Sequence, residues 1–476
     1  MRTIDTAPLP LSDLSERISD EAYARVVATL KEGCTRAASR QIFTISPSRA
    51  DAPGVSEAIG PLVGYALGAG APVLRYVIDA PEDFRALSTR LTAFLHGSRG
   101  DRKNLKDKDR DLYEHVLASN AENIIDQVHE GDIVILHEPA CAGLTQAMKR
   151  AGAYVVWRFH GGTDDPNEYS QMAWAFLEHY LEDADALVFS RPSYRPSFIE
   201  EERCRFVAPS IYPESPKNRV LDLDECHSVV RLAGVVQGKP PFDAVAFVRS
   251  DGRADAIRTM KSVMLAGGPL PEGSRLVTQV SRWDELKDML GVAKAFSEHL
   301  TLFPNDVHLL LIGPALNEEE GDRHSDTVAR EVIEFVENLP KNVADRIHVA
   351  GVPMSDREVN ALIVNAVQRI STVITQKSLV EGFGLTVAEA MWKKRPVVAS
   401  AVGGILDQIE DGVTGVLVSP PEDGRVWAES VAEVLTLPQR ADDMGLAAHE
   451  YVRENYLPDR HLCDVVDVLS SLFDER

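Results

Sequence analysis

Cysteine is scarce in this 476-residue chain, and the five present, Cys34, Cys141, Cys204, Cys226 and Cys463, show no Cys-x-x-Cys spacing. That scatter offers neither a zinc site nor a disulfide framework, so they read as buried or half-buried thiols. No apolar run approaches the ~20 residues a bilayer span needs. Nor does Met1-Arg2-Thr3-Ile4-Asp5 start a signal peptide. The expectation is a cytoplasmic protein with no membrane partner. Positive charge is also short: 50 Lys and Arg against 73 Asp and Glu leave a net charge of −23. Such a field repels nucleic acid and anionic lipid, and the surplus itself reads as ordinary solubility. Repeats and low-complexity tracts are absent. No Asp-x-Asp element is placed for a metal-held diphosphate, and Asp164-Asp165 and Asp442-Asp443 are adjacent pairs that read as solvated.

What the chain does contain is the patterning of a large globular protein. With 44% hydrophobic and 26% charged residues it can bury sizeable cores, and its length exceeds what one core organises. Short apolar runs alternate with helical stretches: Ile133–Leu136, Tyr154–Trp157, Ala186–Phe189, Leu276–Val280, Val307–Ile312, Ile347–Ala350, Val373–Ile374 and Val397–Ala399 read as strands. Between some of them lie the amphipathic segments 291–300 and 327–337. This is the pattern of parallel sheets covered on both faces, and two doubly wound α/β sheets account for it. The boundary is expected between Asp222 and Arg275, where Gly238-Lys239-Pro240-Pro241 breaks the chain. The resulting map is an N-terminal arm or edge at 1–40, a first domain at 41–235, a second at 236–455 and a closing helix at 456–476. Residues 242–264 read as helical.

Two segments carry chemistry. Glu381-Gly382-Phe383-Gly384-Leu385-Thr386-Val387-Ala388-Glu389 sets two carboxylates eight positions apart around a glycine turn that enters a helix. Such a turn aims backbone N–H groups and a helix N-terminus at a diphosphate, leaving the two acids for sugar and ribose hydroxyls. Taken alone it also fits a plain strand-to-helix turn. About a hundred residues upstream, Val280-Ser281-Arg282-Trp283-Asp284-Glu285-Leu286-Lys287-Asp288 follows a strand-like run. Arg282 and Lys287 therefore fall at the end of a strand where open α/β sheets bind ligands. A loop in which both pair with Asp284, Glu285 or Asp288 fits as well, but the two segments together favour an anion site.

At these residues the chain resembles retaining GT-B glycosyltransferases of family 4, and within them the trehalose synthase and trehalose phosphorylase group. Gln376-Lys377-Ser378, Val402-Gly403-Gly404-Ile405 and Asp411-Gly412-Val413-Thr414-Gly415 extend the resemblance in the C-terminal half. In the N-terminal half it runs through Tyr76-Val77-Ile78, Phe94-Leu95-His96-Gly97, His137-Glu138-Pro139, Trp157-Arg158-Phe159-His160, Val188-Phe189-Ser190 and Pro209-Ser210-Ile211. It implies two Rossmann-like domains facing a central cleft, with the last helix crossing back to the first domain. It also implies a donor site of Arg282, Lys287, Glu381, Gly382, Phe383, Gly384, Leu385, Thr386 and Glu389. Catalysis would rest on His160, Glu381, Arg282 and Lys287. By itself His160, just past a strand, reads as a hydrogen-bonded structural residue. Gly54, Glu57, His137 and Arg158 are the acceptor-side candidates, though pairing with an acid explains Arg158 equally well.

Two departures bear on the acceptor. Where the family carries a glycine triplet, Asp51-Ala52-Pro53-Gly54-Val55-Ser56-Glu57 has one glycine, and Gly161-Gly162-Thr163 replaces an Ile-Asp after the histidine. The expected reaction is glycosyl, specifically glucosyl, transfer from a UDP-, ADP- or GDP-glucose type donor, with retention. No metal and no cofactor is called for. The acceptor is expected to be a small carbohydrate or cyclitol rather than free glucose alone, and a homodimer is left open. A phosphorylase using inorganic phosphate and a non-catalytic sugar-nucleotide binder are the competing readings.

Overall fold

A computed structural model describes residues 1–47, 53–101, 103–249, 252–316 and 323–474. The chain forms two compact units, Met1–Tyr212 with Glu454–Arg476, and Pro213–Arg453.

The first unit is built on a sheet of seven strands, β1 (Arg2–Thr3), β2 (Ile42–Ser46), β3 (Val73–Val77), β4 (Ile133–His137), β5 (Tyr154–Phe159), β6 (Ala186–Phe189) and β7 (Cys204–Phe206). Their spatial order is β1-β3-β2-β4-β5-β6-β7, parallel except for β1. Each of β4, β5 and β6 is apolar over nearly its whole length, because helices cover both faces and no side needs to meet water. On one face Val134, Leu136, Val155 and Trp157 pack with Phe94, Tyr113 and Phe176 from three helices. On the other, Tyr154, Val156 and Val188 meet Val468 and Leu472 of the closing Pro458–Asp474 helix. That helix belongs to the first unit, and the Asp20–Arg36 helix packs against it. The N-terminal segment is thus an edge strand plus a helix of this layer.

The second unit holds β10 (Met264–Ala266), β11 (Arg275–Val280), β12 (Val307–Pro314), β13 (Ile347–Val352), β14 (Val373–Gln376), β15 (Val397–Ser400) and β16 (Val416–Val418). Their order is β10-β13-β12-β11-β14-β15-β16, parallel except for β10. The unit also carries a separate hairpin, β8 (Ala244–Val248) with β9 (Ala254–Arg258). The reading of 242–264 as helical is therefore wrong. Along β8 exposure alternates residue by residue, with Val245 and Phe247 buried beside Ile257, and period two is the signature of a strand with one wet face. The units also divide earlier than 235. The Leu223–Leu232 helix buries Cys226, Val229 and Val230 against Leu362, Ile363 and Ala366 of the second unit, so shared core, not strand spacing, places the division at Tyr212.

The strand orders locate a ligand site in each unit before any side chain is considered. Chain order reverses direction between β2 and β4 in the first sheet, and between β11 and β14 in the second. At such a switch point the following connections leave in opposite directions, opening a crevice beyond the strand ends.

Candidate functional site

In the second unit the crevice is visible in the ladder itself. β11 pairs with β12 over six residues but with β14 only at Val277↔Val373 and Thr278↔Ile374. Beyond Thr278 side chains take over. Gln279 Oε1 accepts the Lys377 amide at 3.0 Å, its Nε2 donates to the Lys287 carbonyl at 2.6 Å, and Gln376 Nε2 donates to Ser281 Oγ at 2.9 Å. These bonds hold the two loops that follow the strands in register. Lys287 Nζ then reaches Glu381 Oε1 at 2.8 Å, and Ser378 Oγ donates to Glu381 Oε2 at 3.1 Å. A second ion pair joins Lys377, fully buried, to Asp288. Asp288 is itself left-handed at φ 49° and caps the Met289–Glu298 helix through the Gly291 amide. Arg282 extends outward with 68% of its side chain exposed, 3.7 Å from Asp284.

The glycine turn is held as tightly. Gly384 adopts φ 90° at the start of the Leu385–Trp392 helix, and an added Cβ would lie 3.3 Å from Glu381 Cγ. A side chain would be strained there on both counts. Gly404 supports the turn from behind, since a Cβ on it would meet Phe383 Cα at 2.6 Å. Thr386 Oγ1 donates to Gln376 Oε1 at 3.0 Å, tying the helix start to β14. One turn along, buried Glu389 faces Lys217 Nζ at 3.6 Å. Lys393 Nζ donates to Asn218 Oδ1 at 2.9 Å and to the Glu389 carbonyl at 3.1 Å. Burial pulls the Lys393 ammonium down to about 7, against the upward pull of Glu389.

In the first unit the switch point is a histidine relay. Thr44 Oγ1 on β2 lies 2.9 Å from His137 Nε2 at the end of β4, and His137 Nδ1 lies 3.1 Å from His160 Nε2 just past β5. The two rings stack at 5.4 Å. Burial, then Arg158, drives His137 down to about 3 and His160 well below its usual range. Both imidazoles are therefore neutral, and the chain is satisfied when Thr44 donates to His137, His137 donates to His160, and His160 keeps its hydrogen on Nδ1. Arg158 donates to the Val207 carbonyl at 2.9 Å and brings Nε within 3.3 Å of His160 Nε2. No acid pairs with it at hydrogen-bond distance among the described residues. Beneath the relay lies a cavity of about 140 Å³ reaching His137, Arg158 and His160, lined mostly by aliphatic side chains such as Ile135, Val156 and Leu469. A hexose would strand its hydroxyls in that space.

Glu138, which follows His137, takes φ 67° and ψ 163°. Residues with a side chain enter that region at a cost of order 1–3 kcal/mol, and do so mostly at functional sites.

The structure thus brings Lys287 to Glu381, and His137 and Arg158 to His160. Gly54 and Glu57 lie on the Pro53–Gly68 helix, and Asp51 and Ala52 fall outside the described residues. Sequence reasoning assigned no role to Lys377, Lys217, Lys393 or Glu138, and offered Asp288 only as a partner for Arg282 or Lys287, where the structure pairs it with Lys377. Lys377 and Glu138 were legible in principle, each standing directly after a strand-like run, but a buried ion pair between two loops has no sequence period to betray it.

Residues 48–196 match the family model described as "Trehalose synthase, N-terminal domain", and residues 264–451 match "Glycosyl transferases group 1". The chain is 30% identical to the trehalose synthase of Pyrococcus horikoshii over 420 residues, 88% of this chain and 87% of that one. Rubrobacter xylanophilus trehalose synthase is 30% identical over 423 residues, 88% of each. Among solved structures, an α,α-trehalose-phosphate synthase (UDP-forming) from Burkholderia vietnamiensis superposes with a TM-score of 0.66 at 14% identity, covering 91% of this chain and 99% of its own. That superposition shows a shared GT-B fold. With two parallel-sheet units, both domain matches and near-full-length relatives, the chain belongs to the trehalose synthase family of GT-B glycosyltransferases.

Proposed function

We propose that this enzyme transfers a glucosyl group from a nucleoside diphosphate sugar to a hydroxyl of a sugar or cyclitol, with retention of the α configuration. The observation that carries the reading is the Lys287–Glu381 pair at the β11/β14 switch point, 2.8 Å long and largely shielded from water. A cation held at that crevice is suited to a diphosphate, and an entering diphosphate would take Lys287 while leaving a Glu381 oxygen for a sugar hydroxyl. Exposed Arg282 and the amides of Gly382 to Thr386 would share the charge that builds on the leaving group. Glu389, set back by one helical turn, would hold the ribose. On the first unit neutral His160 would hydrogen-bond the reacting sugar, with His137 fixing its tautomer. Side-chain cations and a helix terminus suffice for this chemistry without a metal.

The test is a matrix of UDP-, ADP- and GDP-glucose against glucose, glucose phosphates, other hexoses and cyclitols. Released nucleoside diphosphate is quantified and the product's anomeric coupling is read by NMR. An α-linked product from at least one pair supports the proposal, and a β-linked product removes retention. Incubation with trehalose and inorganic phosphate runs alongside: glucose 1-phosphate formation without any nucleotide would replace this reading with a phosphorylase. The altered segments at Asp51–Gly54 and Gly161–Gly162 favour a modified sugar or cyclitol over glucose. Trehalose formation with glucose preferred to every other acceptor would overturn that part.

A further inference from the structure

The cavity beneath the histidine relay has a shape and a charge that glycosyl transfer does not use. One wall is a face of the sheet: Ile42 on β2, Ile133, Ile135 and His137 on β4, and Val156 and Arg158 on β5. On the opposite wall, Ala58 and Ala66 of the Pro53–Gly68 helix and Ala37 beside the Asp20–Arg36 helix carry side chains too short to fill the gap. Both ends of β4 border the cavity, so it runs four residue steps along that strand, about 13 Å. Ile135 shows the consequence: it stands mid-strand in a sheet covered on both faces, yet stays only half-buried. Leu30 and Cys34 border both this space and an adjoining, more open one of about 470 Å³, which gives an elongated molecule a way in.

The neutral polar groups on the wall serve one another. Thr44 is bonded to His137, and His461 Nδ1 lies 2.9 Å from Ser210 Oγ. Arg158 differs, because its bonds to the Val207 carbonyl and the His160 ring occupy hydrogens without neutralising charge. It is 4% exposed. Burial, then Arg460, pulls the guanidinium down to about 9, while Glu138 and Asp464 oppose the fall through space. Asp464 is itself paired with Arg460. A buried cation with no carboxylate bonded to it is costly, and an anion brought to it offsets that cost.

An aliphatic channel that ends at a guanidinium suits one kind of molecule. A plain hydrocarbon would leave the charge of Arg158 as it is. A fatty acid answers both features, since each buried methylene adds affinity and a carboxylate matches the guanidinium fork. We propose that the first unit binds a medium-chain fatty acid, its carboxylate on Arg158 and its alkyl chain laid along β4 toward Phe473. Arg158 Nε also lies 3.3 Å from His160 Nε2, so the bound acid draws that contact away and slows turnover. This consequence rests on the glycosyl-transfer reading, whereas the binding itself does not.

Titration calorimetry on the full chain at neutral pH uses octanoate, butanoate and octan-1-ol as probes, below the concentrations at which they aggregate. Octanoate should bind at least tenfold more tightly than butanoate, which shares the head, and than octan-1-ol, which shares the chain. Arg158→Met should bring octanoate down to the level of octan-1-ol. Ile135→Phe, which fills the middle of the channel, should weaken octanoate at least tenfold. Equal binding of octanoate to wild type and Ile135→Phe overturns the proposal, as does octan-1-ol binding as well as octanoate. Should Ile135→Phe fold poorly, chain length decides the matter on the wild-type protein. Affinity must peak where the chain matches ~13 Å and fall for longer acids; a rise that continues through tetradecanoate means adsorption to an apolar surface and refutes the site. With the donor and acceptor pair that the matrix identifies, saturating octanoate should lower kcat at least threefold and leave nucleoside diphosphate affinity within twofold. An unchanged kcat overturns the link to His160, and a protein that transfers from none of the sugar nucleotides overturns the glycosyl-transfer reading while the binding result stands.

Discussion

Replacing Lys287 by Met separates the structural from the ligand-binding value of the β11/β14 pair. At 2.8 Å the attraction between the two charges is about 6 kcal/mol for an effective dielectric near 20, before either group's lost hydration is subtracted. Removing one partner of a buried pair typically costs ~3–5 kcal/mol. Here the side chains retain 14% and 11% exposure, and Ser378 still serves Glu381, so the lower figure applies, about 3 kcal/mol. For a unit of this size 1 kcal/mol moves the melting temperature by roughly 2–4 °C, giving a drop of about 6–12 °C in the second unit's transition. Calorimetric melting without ligand measures it. The double variant Lys287→Met/Glu381→Gln should regain at least half, because the stranded carboxylate is gone. Nucleoside diphosphate affinity, measured by titration calorimetry, should fall at least tenfold in Lys287→Met. A melting temperature within 1 °C of wild type refutes the electrostatic reasoning. A large drop with unchanged nucleotide affinity leaves Lys287 a structural partner only.

A nucleoside diphosphate should raise the melting temperature in the presence of chelator, by about 2.7 kcal/mol of linkage at a hundredfold excess over Kd; strict dependence on magnesium contradicts the metal-free site. Glu389→Ala should weaken nucleotide binding by roughly ten- to a hundredfold, one to two times the ~1.4 kcal/mol that makes a factor of ten. His160→Ala should instead depress kcat more than nucleotide affinity; unchanged turnover removes His160 from the reaction. Acid should destabilise the second unit through His308 and His348, whose Nδ1 and Nε2 lie 2.9 Å apart while His348 Nδ1 donates to the Gly268 carbonyl. Burial lowers both, His308 to about 4, so the stability of the neutral pair is complete above about 6.5 and lost as pH falls toward 4. Arg346, Asp306 and Asp345 are the charges that face the pair. Melting temperature followed from pH 7.5 to 4.5 should fall less steeply in His308→Asn than in wild type, and identical slopes would exclude the pair as the cause.

Both parallel sheets were legible because β11 to β15 and β4 to β6 are runs of buried aliphatic residues with helical spacing between them. The hairpin at 244–258 was missed because Ala244–Val248 is apolar at every position, so the alternation that buries Val245 and Phe247 leaves no period of two in residue type. The 222–232 segment was assigned to the wrong unit because its partners, Leu362 and Ala366, are more than a hundred residues away, and no local pattern encodes a distant packing choice. At the site, Glu381 and Lys287 could be named from residue type at strand ends. Their mutual pairing, and the buried Lys377–Asp288 pair behind them, depend on two strands parting after Thr278. That parting is a property of the sheet and not of either segment.

The first unit is discontinuous, and this orders events during synthesis. Its sheet, strands β1 to β7, is made first, but the face carrying Tyr154, Val156 and Val188 has no cover until the Pro458–Asp474 helix emerges. The whole Pro213–Arg453 unit is made in the interval, which at ~5–20 residues per second lasts on the order of ten to fifty seconds. The second unit therefore closes its core before the first one can. Nascent chains stalled short of the last helix should recruit holdase chaperones and expose sites to protease in β4 to β6, while 213–453, a single continuous stretch, is the part of this enzyme that a ribosome can finish without waiting.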